Sequence, residues 1–241
     1  MSVDLHRNAT GLPLPVLRQE ILPTVADQVF DVLQQRIMAL DLPPDTRISE
    51  VEVATQMGVS RQPVREAFKR LAKLGFLHIR PQSGTTVTKI SEDSVVKSRF
   101  IRVALEMQTC RTACETMTPL GLATLAELIA LQEEAVAAND RNRFHALDDR
   151  FHQEICILSG VGFAWDVISE SKAHMDRVRM LSLDSSSQRL ALNEHVMILD
   201  AIKAKDGDAA AAAITNHLSR IMALIQKLKA ENHTWFTDRP R

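Results

Sequence analysis

Residues 58–67 read Gly58-Val59-Ser60-Arg61-Gln62-Pro63-Val64-Arg65-Glu66-Ala67, a tight turn followed by small, polar and basic residues that begin a helix. A helix end of this composition fits the major groove of DNA. The preceding residues 48–57 predict another helix, with Ser49 as N-cap and Glu52 at the capping-box position. Two helices joined by a tight turn containing glycine predict a helix-turn-helix.

A further helix precedes this motif and a β-hairpin follows it. Thr24 is a suitable N-cap, apolar residues recur at helical spacing from residue 25 to residue 40, and Pro43 with Pro44 should end the helix. Two β-type runs, 76–80 and 85–90, flank a turn and predict a hairpin. We therefore expect a winged helix-turn-helix at residues 21–90, after a loosely ordered arm at residues 1–20.

The charge of the chain is segregated. Its net charge is −1, which excludes a protein that is basic throughout. Residues 58–89 nevertheless hold seven basic residues against one acidic residue, Glu66. A local basic surface of this kind is what DNA binding requires.

The pattern is helical throughout the C-terminal half. We predict six helices there, at residues 92–117, 119–138, 141–158, 162–183, 185–205 and 207–232. The fold class is therefore mainly α, with the winged domain followed by an all-α antiparallel bundle. We place this all-helical domain at residues 91–235, with a tail at residues 236–241.

The cysteines and the apolar runs indicate the compartment. Cys110, Cys114 and Cys156 form no disulfide framework, which favours a reducing environment. No run approaches the roughly 18 apolar residues of a membrane span. We expect a cytoplasmic protein that does not associate with membranes.

With these elements in place, the chain resembles the GntR family of bacterial transcription regulators, in the FadR-type branch whose C-terminal half is an all-helical FCD effector domain. The similarity covers residues 24 to about 230, and residues 59–67 resemble the family's VSRxPVREA signature. Six C-terminal helices suggest the VanR-like subgroup. The resemblance implies that residues 91–235 bind an effector and form the dimer. It also implies a ligand-responsive regulator, which we expect to be a repressor. Because one helix-turn-helix makes few contacts, we expect a homodimer on a palindromic operator in double-stranded DNA.

The first residues of the second motif helix are the predicted DNA contacts. Arg61 and Arg65 lie four residues apart on one helix face, where each can pair with guanine. Gln62 can pair with adenine, and the Ser60 hydroxyl suits a phosphate.

Other DNA contacts are predicted farther along the helix and in the wing. The helix carries three more basic residues, Lys69, Arg70 and Lys73. They either reach DNA or form a solvated basic surface, and we include Lys69 in the DNA-binding set. In the wing the candidates are Arg80, Gln82 and Gly84: glycine allows close backbone approach, while Arg80 either contacts DNA or flanks the contact.

Four residues of the C-terminal half predict a metal site. Asp148 and His152 share a helix face beside an apolar stripe, and His195 and His217 have similar positions in two other helices. By residue type they suit a divalent transition metal such as zinc, with nickel, manganese or iron as other candidates. From the residues alone, each histidine can equally be a hydrogen-bonded core residue. The pattern Asp-x-x-Phe-His, then Glu-His, then a histidine 22 positions later resembles the metal-binding FCD subgroup and implies these four ligands, with His145 as a competing ligand.

The resemblance also points to an effector site. Arg102 begins a segment similar to the family's RxxLE element, and a guanidinium near a bound cation can bind a small carboxylate effector. Arg102 can alternatively make a structural ion pair. His174 either contacts the metal site or the effector, or is a polar core residue. Arg177 and Arg179 are weaker candidates, which we expect to be surface or interface charges.

Two other functions compete with a regulator. A metal-dependent hydrolase with a DNA-binding domain is the first, although the chain contains no HExxH or GxSxG motif. An architectural DNA-binding protein is the second, but it would leave the inward polar residues without a purpose. We therefore expect a regulator and not an enzyme.

Overall fold

The computed structural model describes residues 23–80, 84–231 and 233–237. The predicted N-terminal arm and the wing residue Gln82 lie outside the described residues. No described helix is both long enough and apolar enough to cross a bilayer.

The N-terminal domain is the predicted winged helix-turn-helix. Its elements in chain order are α1 (Val25–Met38), β1 (Arg47–Ile48), α2 (Glu50–Met57), α3 (Arg61–Lys73), β2 (Leu77–Arg80) and β3 (Gly84–Val87). The strands form an antiparallel sheet in the order β1-β3-β2. Ser49 caps α2 by accepting a hydrogen bond from Glu52 N, and Gly58 makes the turn into α3 at φ 65°. Phe30, Phe68 and Leu71 are buried in the core between the helices.

The C-terminal domain is an all-helical bundle. Its described helices are α4 (Glu92–Thr116), α5 (Pro119–Ala137), α6 (Arg141–Leu158), α7 (Phe163–Ser171), α8 (Ala173–Ser182), α9 (Ser185–Lys203), α10 (Gly207–Ser219) and α11 (Ile221–Glu231).

The predicted count of six C-terminal helices is wrong, because residues 162–183 and 207–232 each form two helices within the described part of the chain. Neither break contains proline or glycine. Lys172 at the first break is buried and paired with carboxylates, and Arg220 at the second donates to Glu194. Tertiary ion pairs accompany both breaks, so helix periodicity could not reveal them. The subgroup inferred from the helix count stays a prediction.

The two domains are in contact. Ala173, the first residue of α8, packs in the core of the N-terminal domain. Between the domains, β4 (Ile90–Ser91) pairs in parallel with β5 (Phe236–Thr237). The predicted tail therefore begins with two paired residues, because Phe236 is buried in an apolar cluster with Ile90.

Candidate DNA surface and metal centre

The start of α3 presents an exposed polar surface. Val64, Phe68 and Leu71 recur at helical spacing and are buried against the domain core. The opposite side is exposed, and it carries the predicted residues Ser60, Arg61, Gln62, Arg65 and Lys69. The structure thus places these five residues together on one end and face of α3.

Glu50 of α2 forms ion pairs with both Arg61 and Arg65. Arg65 Nη2 lies 3.0 Å and Arg61 Nη2 3.6 Å from Glu50 Oε2. Hydrogen bonding from Arg65 lowers the pKa of Glu50, although partial burial opposes the shift. Glu50 was not predicted as part of this surface, and its position in the first turn of the preceding helix was the available signal. It orients two guanidinium groups that remain exposed.

Two of the three other basic residues of α3 have structural partners. Arg70 Nη1 lies 2.7 Å from Asp27 Oδ1, and its guanidinium stacks 4.3 Å from the centre of the Phe30 ring. Lys73 Nζ lies 2.6 Å from Glu170 Oε1 in the C-terminal domain. These contacts favour the structural interpretation for Arg70 and Lys73, and they leave Lys69 as the exposed continuation of the arginine face.

The wing candidates lie opposite each other. Arg80 and Gly84 are paired residues of the β2–β3 ladder, and both are exposed. Gly84 has φ 90°, a conformation that glycine adopts without strain. A side chain at this position would extend into open space, so the backbone here is free to approach a partner.

The four predicted metal ligands meet in the bundle interior. Asp148 and His152 come from α6, His195 from α9 and His217 from α10. One ligand atom from each lies within 4.8 Å of the others, and all four residues are buried. His195 Nε2 is 3.4 Å from both Asp148 Oδ1 and His217 Nε2, and His152 Nε2 is 3.8 Å from Asp148 Oδ2. Residues distant in sequence therefore converge on one point.

Each imidazole is oriented by an oxygen atom behind it. A ring that donates its Nδ1 proton to such an acceptor leaves the Nε2 lone pair free, which is the usual arrangement of histidine ligands. Gln132 Oε1 lies 2.7 Å from His195 Nδ1 and Glu194 Oε2 lies 2.8 Å from His217 Nδ1, both at hydrogen-bond geometry. Glu106 Oε2 lies 2.6 Å from His152 Nδ1, an ion-pair contact that does not have hydrogen-bond geometry. All three Nε2 atoms consequently turn toward Asp148.

The electrostatics of the cluster match a cation site. Burial lowers the pKa of His195 well below its usual value and that of His217 to about 4, so both rings are neutral at neutral pH. Burial alone would raise the pKa of Asp148, but the Arg179 guanidinium holds it well below its usual range. Neutral imidazoles and an ionised carboxylate are the protonation states of metal ligands.

The donor atoms also lack alternative partners. Within the described chain, Asp148 Oδ1 and His152 Nε2 are buried and accept no hydrogen bond. The Nε2 lone pairs of His195 and His217 face each other, which is unfavourable without a shared proton or cation. The residues therefore fit a divalent transition metal. His145 does not join this cluster, because its neighbours are Asp149 and Asp176.

A cavity of about 40 Å³ adjoins His217 and is lined by three arginines. Each arginine pairs with a carboxylate that is either a predicted ligand or lies behind one of the ligand histidines. The pairs are Arg102 with Glu106, Arg179 with Asp148 and Arg220 with Glu194. The volume suffices for a few water-sized groups. Arg102 thus makes the structural ion pair and also lines the cavity, so both of its predicted roles agree with its position.

The prediction that Arg179 is a surface or interface charge is wrong. Its side chain is 12% exposed and pairs with the metal-centre carboxylate Asp148. Arg179 lies four residues after buried Met175 in the same helix, and this spacing on an apolar face was the available signal. Arg177 is buried at the domain interface, where its Nη1 donates to Thr88 O at 2.7 Å.

His174 lies at the junction of the domains. Its Nδ1 accepts a hydrogen bond from Ser91 N at 3.2 Å, and its ring lies against Gly75. Burial lowers the pKa of His174 to about 4, so the ring is neutral. It is not among the residues that line the arginine cavity, so this position supports a junction role for His174 more than effector contact.

Two family descriptions match the chain. Residues 25–87 match "Bacterial regulatory proteins, gntR family", and residues 99–220 match "FCD domain". The first match covers the winged domain, and the second covers the helices that carry the metal centre.

Individual relatives agree with these matches. The HTH-type transcriptional repressor RspR of Escherichia coli K12 is 38% identical over 215 residues, covering 89% of this chain and 94% of RspR. The Nta operon transcriptional regulator of Aminobacter aminovorans is 28% identical over 205 residues, covering 82% and 95%. The structure of Escherichia coli McbR/YncC confirms the fold, with a TM-score of 0.74 at 24% identity over 86% of this chain and 100% of that chain. The relatives are transcription regulators and not enzymes, which favours a regulator over the hydrolase alternative.

Proposed function

This chain belongs to the GntR family of bacterial regulatory proteins and carries an FCD domain, and from that premise we propose that it is a metal-dependent, ligand-responsive repressor. Its winged domain binds operator DNA in the cytoplasm. The C-terminal domain binds a divalent metal, zinc in the first instance, together with a small carboxylate effector. The observation that supports this proposal is that α8 of the C-terminal domain contacts both the winged domain, through Ala173, and Asp148 of the metal cluster, through Arg179.

On the DNA side, the exposed start of α3 reads the operator. Arg61 and Arg65 bind guanine edges, Gln62 binds adenine, and Ser60 with Lys69 contacts phosphates. The wing, through Arg80 and Gly84, follows the adjacent groove. One such surface recognises a short half-site, so the chain acts as a homodimer on a palindrome.

On the sensor side, Asp148, His152, His195 and His217 hold the metal. When bound, the ion supplies a coordination position that a carboxylate oxygen can occupy. Arg102, Arg179 and Arg220 line the adjoining cavity and provide guanidinium donors that match a carboxylate. Burial excludes bulk water from these groups, which strengthens their interaction with an anion.

Helix α8 connects the proposed metal and effector site with the DNA-binding domain. Its first residues contact the winged domain: Ala173 packs in that domain's core, and Arg177 donates to Thr88 O. Two residues later, Arg179 pairs with Asp148 of the metal centre. An effector that draws Arg179 away from Asp148 moves a helix that also supports the DNA-binding domain. Its differential affinity for the two arrangements then changes operator affinity.

Metal content tests the sensor. We expect gently purified protein to retain zinc or a related metal, measured by elemental analysis, and native mass spectrometry to detect any retained small acid. His195→Ala combined with His217→Ala removes two ligands and should abolish metal retention, whereas exposed His233→Ala should not. Unchanged metal content in the double variant would refute the site.

Operator binding tests the coupling. Fragments are selected from random DNA with the metal-loaded protein, and affinity is then measured with acetate, lactate or succinate added. We expect at least one acid to change operator affinity in wild-type protein and none to do so in the double histidine variant. Equal responses in both proteins, or a monomer that protects one asymmetric half-site in footprinting, would contradict the proposal.

A further inference from the structure

A second group of metal-type ligands lies outside the metal centre. His145 and Asp149 of α6 and Asp176 of α8 each offer a ligand atom, and these atoms lie within 4.8 Å of one another. They line a cleft of about 520 Å³ between the bundle and helix α1 of the winged domain. Gln34 and Gln35 of α1 line the same cleft, so this group faces the DNA-binding domain.

Three polar atoms of this group have no hydrogen-bond partner among the described residues. Asp176 is 5% exposed, and its Oδ1 accepts no hydrogen bond from the described residues. Asp149 Oδ1 and His145 Nδ1 are likewise buried and without a hydrogen bond in that part of the chain. Buried acceptors without partners are rare because each costs desolvation free energy. Three such atoms on the residues of one cluster indicate a missing partner that is positively charged or donates hydrogen bonds.

The neighbouring cations only partly neutralise these carboxylates. Lys172 Nζ lies 2.5 Å from Asp149 Oδ2 and 2.5 Å from Asp176 Oδ2, so it occupies one oxygen of each carboxylate. Arg179 Nη1 is 3.6 Å from Asp149 Oδ1, but its partner in the metal centre is Asp148. The Oδ1 atom of each carboxylate is thus left without a hydrogen bond from the described residues.

We propose that His145, Asp149 and Asp176 form a second divalent cation site, at the interface between the DNA-binding domain and the helical domain. Two carboxylates and one imidazole suit Mn²⁺ or Zn²⁺, with the remaining coordination positions open toward the cleft. Because the cleft is walled by α1 on the opposite side, an ion held here favours the arrangement in which α1 stays against α6 and α8. This site is separate from the metal centre and does not depend on the proposed sensor function.

Metal stoichiometry tests the second site. Full-length protein is stripped with a chelator, dialysed against Mn²⁺ or against Zn²⁺, and bound metal per chain is measured by elemental analysis. We expect wild-type protein to bind two ions per chain, and His145→Gln to bind one fewer. Asp176→Asn, which keeps the side-chain shape, should also lose that ion. The matched controls are Asp166→Asn and His233→Ala on exposed positions, which should keep both ions.

Combined variants distinguish a failure of the second cation site from a failure of the proposed sensor site. His195→Ala with His217→Ala should lose the other ion, and adding His145→Gln to that pair should remove all bound metal. Circular dichroism and thermal melting identify variants that do not fold. His145 is only partly buried, unlike Asp176, so His145→Gln is the decisive single change. An alternative result is that wild-type protein saturates at one ion per chain and that only the double histidine variant loses that ion. This result would overturn the second site and leave the proposed sensor site intact. A second ion that His145→Gln does not affect would also overturn it.

Discussion

The DNA surface and the metal centre use the same kinds of side chain in opposite environments. Arg61 and Arg65 lie within one turn of a single helix, are exposed, and share one partner, Glu50. The metal centre is buried, and each of its groups is positioned by a residue from another helix. Function on the α3 surface is therefore local, and a substitution there should affect only DNA binding. In the proposed metal centre, we expect function and stability to be inseparable.

The largest effect is expected from Glu106→Gln in the metal centre. Glu106 Oε1 lies 2.6 Å from Arg102 Nε, and both residues are buried. Neutralising one partner leaves a buried charge without compensation, which costs about 3–5 kcal/mol. We expect the free energy of unfolding of metal-free protein to fall by about this amount in urea titrations.

An exposed ion pair of the same domain provides the control. Arg143 Nη2 and Glu134 Oε2 are 2.7 Å apart, but both side chains are largely in solvent. Glu134→Gln should change the free energy of unfolding by less than about 1 kcal/mol. If Glu106→Gln costs no more than this control, the metal centre is not the interdependent network described above.

The next effect belongs to the DNA surface. Arg65→Ala removes a guanidinium that can pair with guanine, so we expect operator affinity to fall roughly 10- to 100-fold with relaxed preference at one base position. The thermal midpoint should stay close to wild type, because Arg65 is exposed. Binding competitions with single-base operator variants measure both quantities. Arg143→Ala serves as the control, and a uniform loss over all sequences would make Arg65 a phosphate contact instead.

The same contrast explains how much the sequence could predict. The winged fold, the exposed face of α3 and the grouping of the four predicted ligands Asp148, His152, His195 and His217 follow from spacing, which is local, or from a family pattern. The prediction for Arg179 was wrong and Glu50 was not predicted, because the roles of both residues depend on which helices pack together. The break at Lys172 was missed for the same reason: no helix-breaking residue marks it, and the ion pairs that accompany it join Lys172 to carboxylates on α6 and α8.

A smaller effect is expected at the link between the two regions. Arg177 is buried, burial lowers its pKa to about 10, and no described carboxylate pairs with it. Arg177→Met should therefore leave the free energy of unfolding unchanged or higher. It also removes the bond to Thr88 O, so the metal-dependent change in operator affinity should shrink roughly 3- to 10-fold. A stable variant with undiminished coupling would show that α8 does not connect the regions through this contact.

The smallest effect separates two serines at helix starts. Ser49 Oγ accepts a hydrogen bond from Glu52 N, whereas the Ser60 side chain makes no capping bond to α3. Ser49→Ala should therefore cost about 1 kcal/mol of stability. Ser60→Ala should leave the free energy of unfolding within about 0.5 kcal/mol, as at ordinary surface positions. Its hydroxyl is free for a phosphate, so operator affinity should fall only a few-fold and equally for all DNA sequences.

Urea titration and DNA binding at two salt concentrations measure both serine variants. The loss of one hydroxyl–phosphate contact should leave the salt dependence of binding unchanged, because no protein charge is removed. If Ser60→Ala destabilises the protein as much as Ser49→Ala does, the serine caps α3 in solution and is not reserved for DNA. The α3 surface would then share the property of the metal centre, in which the same group supports both fold and function.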